Sequence, residues 1–304
     1  MGTEINIIVV GSNRAIIRSA ALAGFKEISR IEDIMSAHKP DSELCSLNKT
    51  GGSEQKFSRE LLYVINKARY SSELSGGAFD ITCKPLINLW HNAKKSKEFP
   101  DGQNILNTLS LVGYRDILIE NNNVKFNKAG MKIDLGALAK GYAVDMAINL
   151  INNYDIKGAL VDAGGDIRAV GKREDGKLWE IGIKHPREKD EIIGLINLGN
   201  SAVATSGDYE RFFILNGKRY SHIIDPRTGY PVDNKIVSVS VFSSDCLTCD
   251  SLATAITVLG EKKGMELIEK LKDIEALIIT IKDGNLNLIK SSGMTQLVLN
   301  RENS

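Results

Sequence analysis

The chain has 304 residues, of which 42% are hydrophobic and 25% charged, an ordinary composition for a soluble globular protein with a sizeable core. Its 39 Lys and Arg residues nearly balance its 38 Asp and Glu residues, so the net charge of +1 gives no electrostatic footprint for nucleic acid or an anionic membrane. Four cysteines are too few for a disulfide scaffold, no apolar run approaches the ~20 residues of a membrane span, and the first residues lack a signal-peptide pattern.

The first half of the chain predicts one strand followed by helices. Residues 4–11 are rich in Ile and Val and end in Gly, which indicates a strand. Residues 14–35 carry apolar side chains at helical spacing, and a second helix is predicted over residues 58–74, before a Gly-Gly pair. The polar stretch between these helices, residues 36–52, is predicted to be a loop. Two shorter helices are predicted, over residues 85–93 and 103–112.

The second half predicts strands and turns with helices between them. Hairpins are predicted over residues 116–126 and 276–289, each around an Asn-containing turn. Strands alternate with turns over residues 159–170 and 179–242. Further helices are predicted over residues 136–152, 246–259 and 261–271. This order predicts an α+β fold in which helices cover antiparallel sheets, as one domain of two closely packed halves over residues 1–304.

The common nucleotide-binding motifs do not occur in this sequence. It contains no phosphate loop of the Gly-x-x-x-x-Gly-Lys-Ser/Thr type and no Gly-x-Gly-x-x-Gly after a strand. The four histidines have no spacing typical of a zinc pair, and Cys246-x-x-Cys249 has no second Cys pair, so we interpret these cysteines as two small buried residues. A nucleotide would therefore have to be bound by less common means.

Residues 132–145 are the first candidate site. Asp134 precedes a turn at Gly136, and a helix follows with Lys140 in its first turn. The free N–H groups of a helix N-terminus, together with the Lys140 charge, would stabilise a phosphate or another anion. The alternative is an amphipathic helix with an ordinary capping turn, and the residues alone do not separate these interpretations.

Residues 250–254 are the second candidate site. Asp250 and Thr254 are four positions apart in a predicted helix, so their oxygen atoms point to the same side. Such a pair suits Mg²⁺, which keeps waters and substrate phosphates in its other positions. The alternative is that Asp250, close to the helix start, is a cap or a partner of the helix dipole.

Three shorter segments complete the candidates. His222 precedes an Asp-Pro-Arg-Thr-Gly turn and could be a general base, a contact to a ring, or a structural histidine. A glycine pair at residues 76–77 would present Phe79 and Asp80, and another pair at residues 164–165 permits a tight backbone path.

In chain order, these segments resemble one protein family. The motifs are residues 1–3 (Met-Gly-Thr), 36–48, 78–80 (Ala-Phe-Asp), 134–141 (Asp-Leu-Gly-Ala-Leu-Ala-Lys-Gly), 162–166 (Asp-Ala-Gly-Gly-Asp), 221–229 (Ser-His-Ile-Ile-Asp-Pro-Arg-Thr-Gly) and 250–254 (Asp-Ser-Leu-Ala-Thr). Together they resemble the ApbE family of FAD:protein FMN transferases, and the likeness extends from the first residue to the last strand.

This resemblance implies a site for the substrate FAD and for a Mg²⁺ ion. The residues implied to contact FAD are Met1, Ala78, Phe79, Asp80 and Asp134. Mg²⁺ would be bound by the backbone carbonyl of Ala137 together with Asp250 and Thr254. His222 would lie near the flavin as the base. In the reaction, the charge of Lys140 and the helix amides, argued above from the residues themselves, would add positive field at the diphosphate.

One position departs from the family pattern. Members commonly have a Tyr that stacks on the adenine of FAD, and this chain has His38 there. Histidine also stacks, but with less area, so the departure affects the expected adenine affinity and the balance between transfer and hydrolysis.

The implied reaction is attack by a Ser or Thr hydroxyl of an acceptor flavoprotein on the FMN phosphorus of FAD, with AMP leaving. Two alternatives stay open: a Mg²⁺-dependent FAD pyrophosphatase that uses water in the same site, and a non-catalytic flavin-binding protein. The resemblance also implies a lipoprotein on the extracytoplasmic face of the bacterial cytoplasmic membrane, held by a lipid anchor whose signal is not in the printed sequence. A cytoplasmic form is the alternative location.

Overall fold

The computed structural model describes residues 2–52, 56–120, 123–188, 190–207, 212–215, 217–282, 284–295 and 298–299. The helices are α1 (Arg14–Met35), α2 (Glu43–Thr50), α3 (Arg59–Leu74), α4 (Lys84–Ser96), α5 (Gly102–Leu109), α6 (Ala139–Ile151), α7 (Cys246–Leu259) and α8 (Glu261–Ile268), with 3₁₀ turns at Ile81–Cys83 and Tyr114–Asp116. The strands are β1 (Ile5–Val10), β2 (Ile117–Glu120), β3 (Asn123–Phe126), β4 (Gly158–Ala163), β5 (Ile167–Gly171), β6 (Trp179–Lys184), β7 (Ile192–Leu198), β8 (Ser201–Gly207), β9 (Phe212–Leu215), β10 (Lys218–Ser221), β11 (Ile236–Ser243), β12 (Glu275–Lys282), β13 (Asn285–Lys290) and β14 (Val298–Leu299).

A seven-stranded sheet forms the centre of the molecule. Its strand order is β1-β4-β5-β8-β11-β12-β13, and each of these neighbours pairs in the antiparallel sense. Smaller antiparallel sheets are formed by β6, β7 and β14, by β2 and β3, and by β9 and β10. The predicted α+β class with helices on antiparallel sheets is therefore confirmed, while the division into one domain of two halves stays a prediction.

The central sheet is buried on both faces, and its strands divide their side chains between two cores. In β12, Ala276 and Ile278 enter the larger core, whereas Leu277 and Ile279 enter the second core. This division follows from the alternation of side chains along a strand. Helices α1, α6 and α7 pack on the first face, and strands β6 and β7 pack on the second.

Helices α1 and α6 approach each other closely on the first face. The buried residues of α1 recur every three or four positions, at Ala20, Gly24, Ile28, Ile31 and Met35. A Cβ added to Gly24 would lie 2.7 Å from Cδ1 of Ile151 in α6, so a glycine is needed at this contact. The same face ends at Met35, which places the end of α1 at the functional cleft described below.

The predicted loop over residues 36–52 is wrong in its second part, where α2 forms. The side chain of Ser42 accepts an N–H of the first turn as an N-cap, and Gly51 ends the helix with a φ of 65°. Leu44 and Leu47 lie three positions apart and are fully buried. The polar composition of this stretch favoured a loop, although the sequence contains both the cap and the apolar spacing of a helix.

The other predicted elements form with shifted ends. Helix α6 begins at Ala139 rather than at residue 136, because residues 136–138 form a turn. The predicted hairpins are β2–β3 and β12–β13, while residues 121, 122 and 283 of their turns lie outside the described residues. The helices of the described chain include none that is long and apolar enough to cross a membrane.

A third, smaller apolar cluster lies between α4, α5 and the β9–β10 hairpin. The indole N–H of Trp90 donates a hydrogen bond to the carbonyl of Gly229 over 2.8 Å. The rings of Phe213 and Tyr220 stack with centroids 5.5 Å apart. This cluster anchors the segment between β10 and β11, which carries His222.

Candidate active site

A cleft of about 810 Å³ opens between the end of α1, the turn before α4, the start of α6 and the side of α7 that carries Asp250 and Thr254. The predicted site residues that line it are His38, Ala78, Phe79, Asp80, Asp134, Ala137, Lys140, His222, Asp250 and Thr254. Met1 lies outside the described residues, although its neighbours Gly2 and Thr3 line the cleft. The fold thus brings together side chains from motifs that are far apart in sequence.

The first turn of α7 is capped by two carboxylates other than Asp250. Asp245 accepts the N–H of Thr248 over 2.9 Å. Asp145 of α6 accepts the first two N–H groups of α7, each over 2.9 Å. Because these bonds satisfy the free amides of the first turn, Asp250 does not act as the cap, an alternative that the sequence left open.

Asp250 and Thr254 lie one turn apart on α7, and both face the cleft. Oδ2 of Asp250 accepts the N–H of Gly141 over 3.3 Å. The hydroxyl of Thr254 lies 3.4 Å from the hydroxyl of Ser206 on β8. Ala137 lines the same cleft, so a carboxylate, a hydroxyl and the backbone carbonyl that the resemblance implies belong to residues of one site.

This donor set fits Mg²⁺. All three donors are oxygen atoms, and Mg²⁺ in proteins commonly takes one or two carboxylates and completes its coordination with waters and substrate phosphates. In the described part of the chain, no three His, Cys, Asp or Glu side chains are grouped so that they could hold a metal ion. A site at Asp250 would therefore depend on neutral oxygen donors and on the substrate.

Lys140 lies between two carboxylates at the start of α6. Its ammonium group is bonded to Asp166, which is 1% exposed, and is 3.5 Å from Oδ2 of Asp250. Burial opposes the charge of Lys140, but the carboxylates of Asp250 and Asp166 outweigh it and raise the pKa of this lysine. Lys140 therefore stays charged and offsets the negative charge of the site.

Gly141 lets α6 and α7 approach closely enough for these contacts. A Cβ added to Gly141 would lie 2.4 Å from the carbonyl oxygen of Cys246, in the first turn of α7. The distance is too short for any larger residue without separation of the two helices. The close approach places Lys140 beside Asp250.

The turn before α4 is fixed by the carboxylate of Asp80. It accepts hydrogen bonds from the N–H and the hydroxyl of Thr82, over 2.8 and 2.6 Å, and from the N–H of Tyr114 over 2.9 Å. Burial raises the pKa of Asp80, and these hydrogen bonds oppose that rise. Phe79 is 2% exposed and packs in the main core. Both residues line the cleft, and these contacts fix them in its wall.

Asp134 is held by two partners. Its Oδ1 accepts the N–H of Gly136 over 2.8 Å, and its Oδ2 is 2.7 Å from Nζ of Lys84. Lys84 also lines the cleft, although it is not among the residues predicted from the sequence. The available signal was a lysine at the first position of a helix, where a positive charge is unfavourable for the helix itself.

The two histidines of the cleft lie in loops. His222 directly follows β10, one residue beyond the strand in which the sequence placed it, and it is exposed at the cleft. His38 lies in the turn after α1, where the hydroxyl of Ser36 accepts its backbone N–H over 3.2 Å. Both side chains therefore reach the cleft from its rim.

The Cys246-x-x-Cys249 pair belongs to the core. Both cysteines are fully buried, with their sulfur atoms 3.9 and 3.6 Å from the carbonyl oxygens of Val203 and Ala202. Burial raises the pKa of both thiols well above the usual value, so they stay protonated and unreactive. Their interpretation as two small buried residues agrees with the structure.

Known proteins are similar to this chain in sequence and in fold. A model of the ApbE family matches residues 1–278. The chain belongs to the ApbE family. It is 35% identical over 269 residues to a FAD:protein FMN transferase of Vibrio cholerae, covering 87% of this chain and 80% of that protein. It is 33% identical over 272 residues to a FAD:protein FMN transferase of Klebsiella pneumoniae, covering 88% and 83%.

Solved structures of ApbE proteins are also similar to this chain in fold. The flavin transferase ApbE from Vibrio cholerae superposes with a TM-score of 0.81 and 33% identity, covering 96% of this chain and 94% of that one. The ApbE protein from Thermotoga maritima superposes with a TM-score of 0.86 and 34% identity over the same shares. The family and fold predicted from the motifs are confirmed, and the predicted transferase class agrees with the names of the relatives.

Proposed function

We propose that this ApbE-family chain is a Mg²⁺-dependent FAD:protein FMN transferase. It would cleave FAD and join FMN through a phosphoester bond to a Ser or Thr of an acceptor flavoprotein. The observation that carries the proposal is the convergence, in one cleft, of residues from the separated motifs. The names of the relatives from Vibrio cholerae and Klebsiella pneumoniae support the same activity.

The reaction is a displacement at the FMN phosphorus. The acceptor oxygen forms a new P–O bond, the bond from that phosphorus to the bridging oxygen of the diphosphate breaks, and AMP leaves with the bridging oxygen. The acceptor hydroxyl loses its proton to His222, which is exposed at the cleft and can return the proton to solvent. Such a reaction depends mainly on in-line positioning and on neutralisation of charge.

The charged residues of the cleft supply that neutralisation. Asp250, Thr254 and the carbonyl of Ala137 would hold Mg²⁺, which when bound offsets the charge of the diphosphate and of departing AMP. Lys140 is bonded to Asp166 and lies beside Asp250, so its charge balances the carboxylates. We therefore assign Lys140 to the support of the metal ligand, a different role from the stabilisation of a phosphate that its position in the sequence suggested.

The test is an assay with FAD, MgCl₂ and a flavoprotein subunit that carries an acceptor Thr. Intact-mass spectrometry measures FMN on the acceptor, and chromatography measures AMP. We expect the acceptor to gain the mass of FMN, with equimolar AMP, and we expect both products to disappear when EDTA removes Mg²⁺. Free FMN and AMP beside an unmodified acceptor would instead indicate the pyrophosphatase, and bound FAD without AMP would indicate a carrier.

A further inference from the structure

Lys84 is a charged residue of the cleft to which neither the motifs nor the proposed reaction assigns a role. It is the first residue of α4, its side chain is 14% exposed, and its Nζ lies 2.7 Å from Oδ2 of Asp134. We propose that Lys84 is a positioning residue that fixes the Asp134 carboxylate, and with it the turn over residues 134–137, for the binding of FAD. This inference rests on the proposed function.

The location of Lys84 is not explained by the helix that it begins. The N–H groups at a helix N-terminus carry partial positive charge, which favours acidic residues there and disfavours lysine. The first turn of α4 has no acidic residue, and its N-cap, Cys83, makes no side-chain cap bond. The charge that compensates Lys84 comes instead from Asp134, which lies 50 positions along the chain.

Asp134, the partner of Lys84, lies in a tight turn of the backbone. Oδ1 of Asp134 accepts the N–H of Gly136 over 2.8 Å, while Lys84 holds Oδ2. A Cβ added to Gly136 would lie 2.9 Å from Oδ1, so the carboxylate packs directly against the turn. This one carboxylate therefore bonds to and packs against the turn that leads into Ala137, a residue that lines the cleft.

A backbone hydrogen bond joins the same two segments. The N–H of Asp134 donates to the carbonyl of Ile81 over 2.7 Å, and Ile81 lies in the 3₁₀ turn that Asp80 fixes. The backbone bond sets the distance between the segments, and the Lys84 contact sets the direction of the carboxylate. Without Lys84, Asp134 would keep an uncompensated negative charge in a partly buried cleft that has to accept the FAD diphosphate.

The test compares Lys84→Met, Lys84→Arg and the control Lys95→Met, which removes an exposed lysine of the same helix. FAD affinity is measured by quenching of flavin fluorescence without Mg²⁺, and folding is measured by thermal unfolding. We expect Lys84→Met to weaken FAD binding about tenfold, as for loss of a hydrogen bond between charged groups, and Lys84→Arg to restore most of it. Lys95→Met should leave the affinity unchanged.

A double-mutant cycle with Asp134→Asn distinguishes positioning from direct contact. Positioning predicts that Lys84→Met has little further effect on FAD affinity once Asp134 has been neutralised. The same tenfold loss in both backgrounds would overturn the proposal, because Lys84 would then act on FAD by itself. Unchanged affinity in Lys84→Met would overturn it as well, whereas failure of the unmodified protein to bind FAD would overturn the proposed function itself.

Discussion

Helices α6 and α7 begin side by side, yet their first turns are completed in different ways. In α7, the carboxylates of Asp245 and Asp145 accept the free N–H groups, so this helix start is closed by protein. In α6, the N-cap Leu138 makes no side-chain cap bond, and the first turn has no acidic residue but carries Lys140. The start of α7 is therefore fixed by other parts of the protein and has a structural role. The start of α6, which lacks such caps, places the charge of Lys140 in the cleft.

Asp145, against the start of α7, and Asp250, on α7, are both buried carboxylates, but their surroundings differ. Asp145 accepts hydrogen bonds from α7 and from Nη1 of Arg168, over 2.9 Å each, so its oxygens are occupied by the protein. Asp250 is one turn further along α7 and lines the cleft. We therefore expect loss of Asp250 to abolish chemistry and loss of Asp145 to reduce stability.

The largest effect is expected for Asp250→Asn. The amide can still accept the N–H of Gly141 but offers Mg²⁺ no charge, so FMN transfer should fall by at least about a hundredfold, as when one group that stabilises developing charge is removed. Urea unfolding should show nearly unchanged stability. Mg²⁺ should raise the melting temperature of the unmodified protein in the presence of FAD and should fail to do so for the variant. Transfer at the unmodified rate would refute the assignment of Asp250 as a metal ligand.

The second prediction concerns Asp145→Ala, which opens the closed helix start. It leaves two N–H groups of α7 without their acceptor and removes the carboxylate from Arg168, which keeps a hydrogen bond to Asn149 over 3.3 Å. Removal of one partner from a buried pair costs about 3 kcal/mol. Urea unfolding measures the loss of stability. The control is Asp155→Ala, at an exposed aspartate between α6 and β4, which should change stability by less than about 0.5 kcal/mol. Equal effects of the two variants would show that Asp145 does not hold α7.

The third prediction tests the closeness of the two helices through Gly141→Ala. The added methyl group would meet the carbonyl of Cys246 at 2.4 Å, so the helices must separate, at a cost of about 1–3 kcal/mol. Lys140 and Asp250 should move apart with them, and the Mg²⁺ concentration for half-maximal transfer should rise. Gly102→Ala is the matched control, because a Cβ at Gly102 meets no atom within 4 Å. A Mg²⁺ requirement that stays unchanged in Gly141→Ala would show that the closeness of α6 and α7 is not needed by the metal site.

The sequence predicted the cleft residues that belong to contiguous motifs. Asp250 and Thr254 could be paired because helix periodicity places them on one face, and the structure shows both at the cleft. Helix α2 could also have been predicted, since its Ser42 cap and the spacing of its buried leucines are local signals.

Partners that meet only through tertiary structure could not be read from local patterns. Lys84 contacts Asp134, which is 50 residues away in sequence. Asp145 accepts an N–H at the start of α7, which is 101 residues away. Nothing near either residue in sequence identifies its partner. The same holds for Asp80, because the N–H of Tyr114 that it accepts lies 34 positions away.

The smallest effect is expected for His38→Tyr, at the rim of the cleft. His38 lies in a turn that is held through its backbone by Ser36, so the substitution changes the ring and leaves the turn intact. A larger ring should stack better on adenine and should tighten the binding of AMP and FAD about threefold, a small share of the energy of an aromatic pair. The binding of FMN, which has no adenine, should not change. His91→Tyr, on the exposed side of α4, is the control. If FMN binding tightened as much as AMP binding, His38 would lie at the flavin end of the cleft, and the direction in which FAD lies between His38 and His222 would have to be reversed.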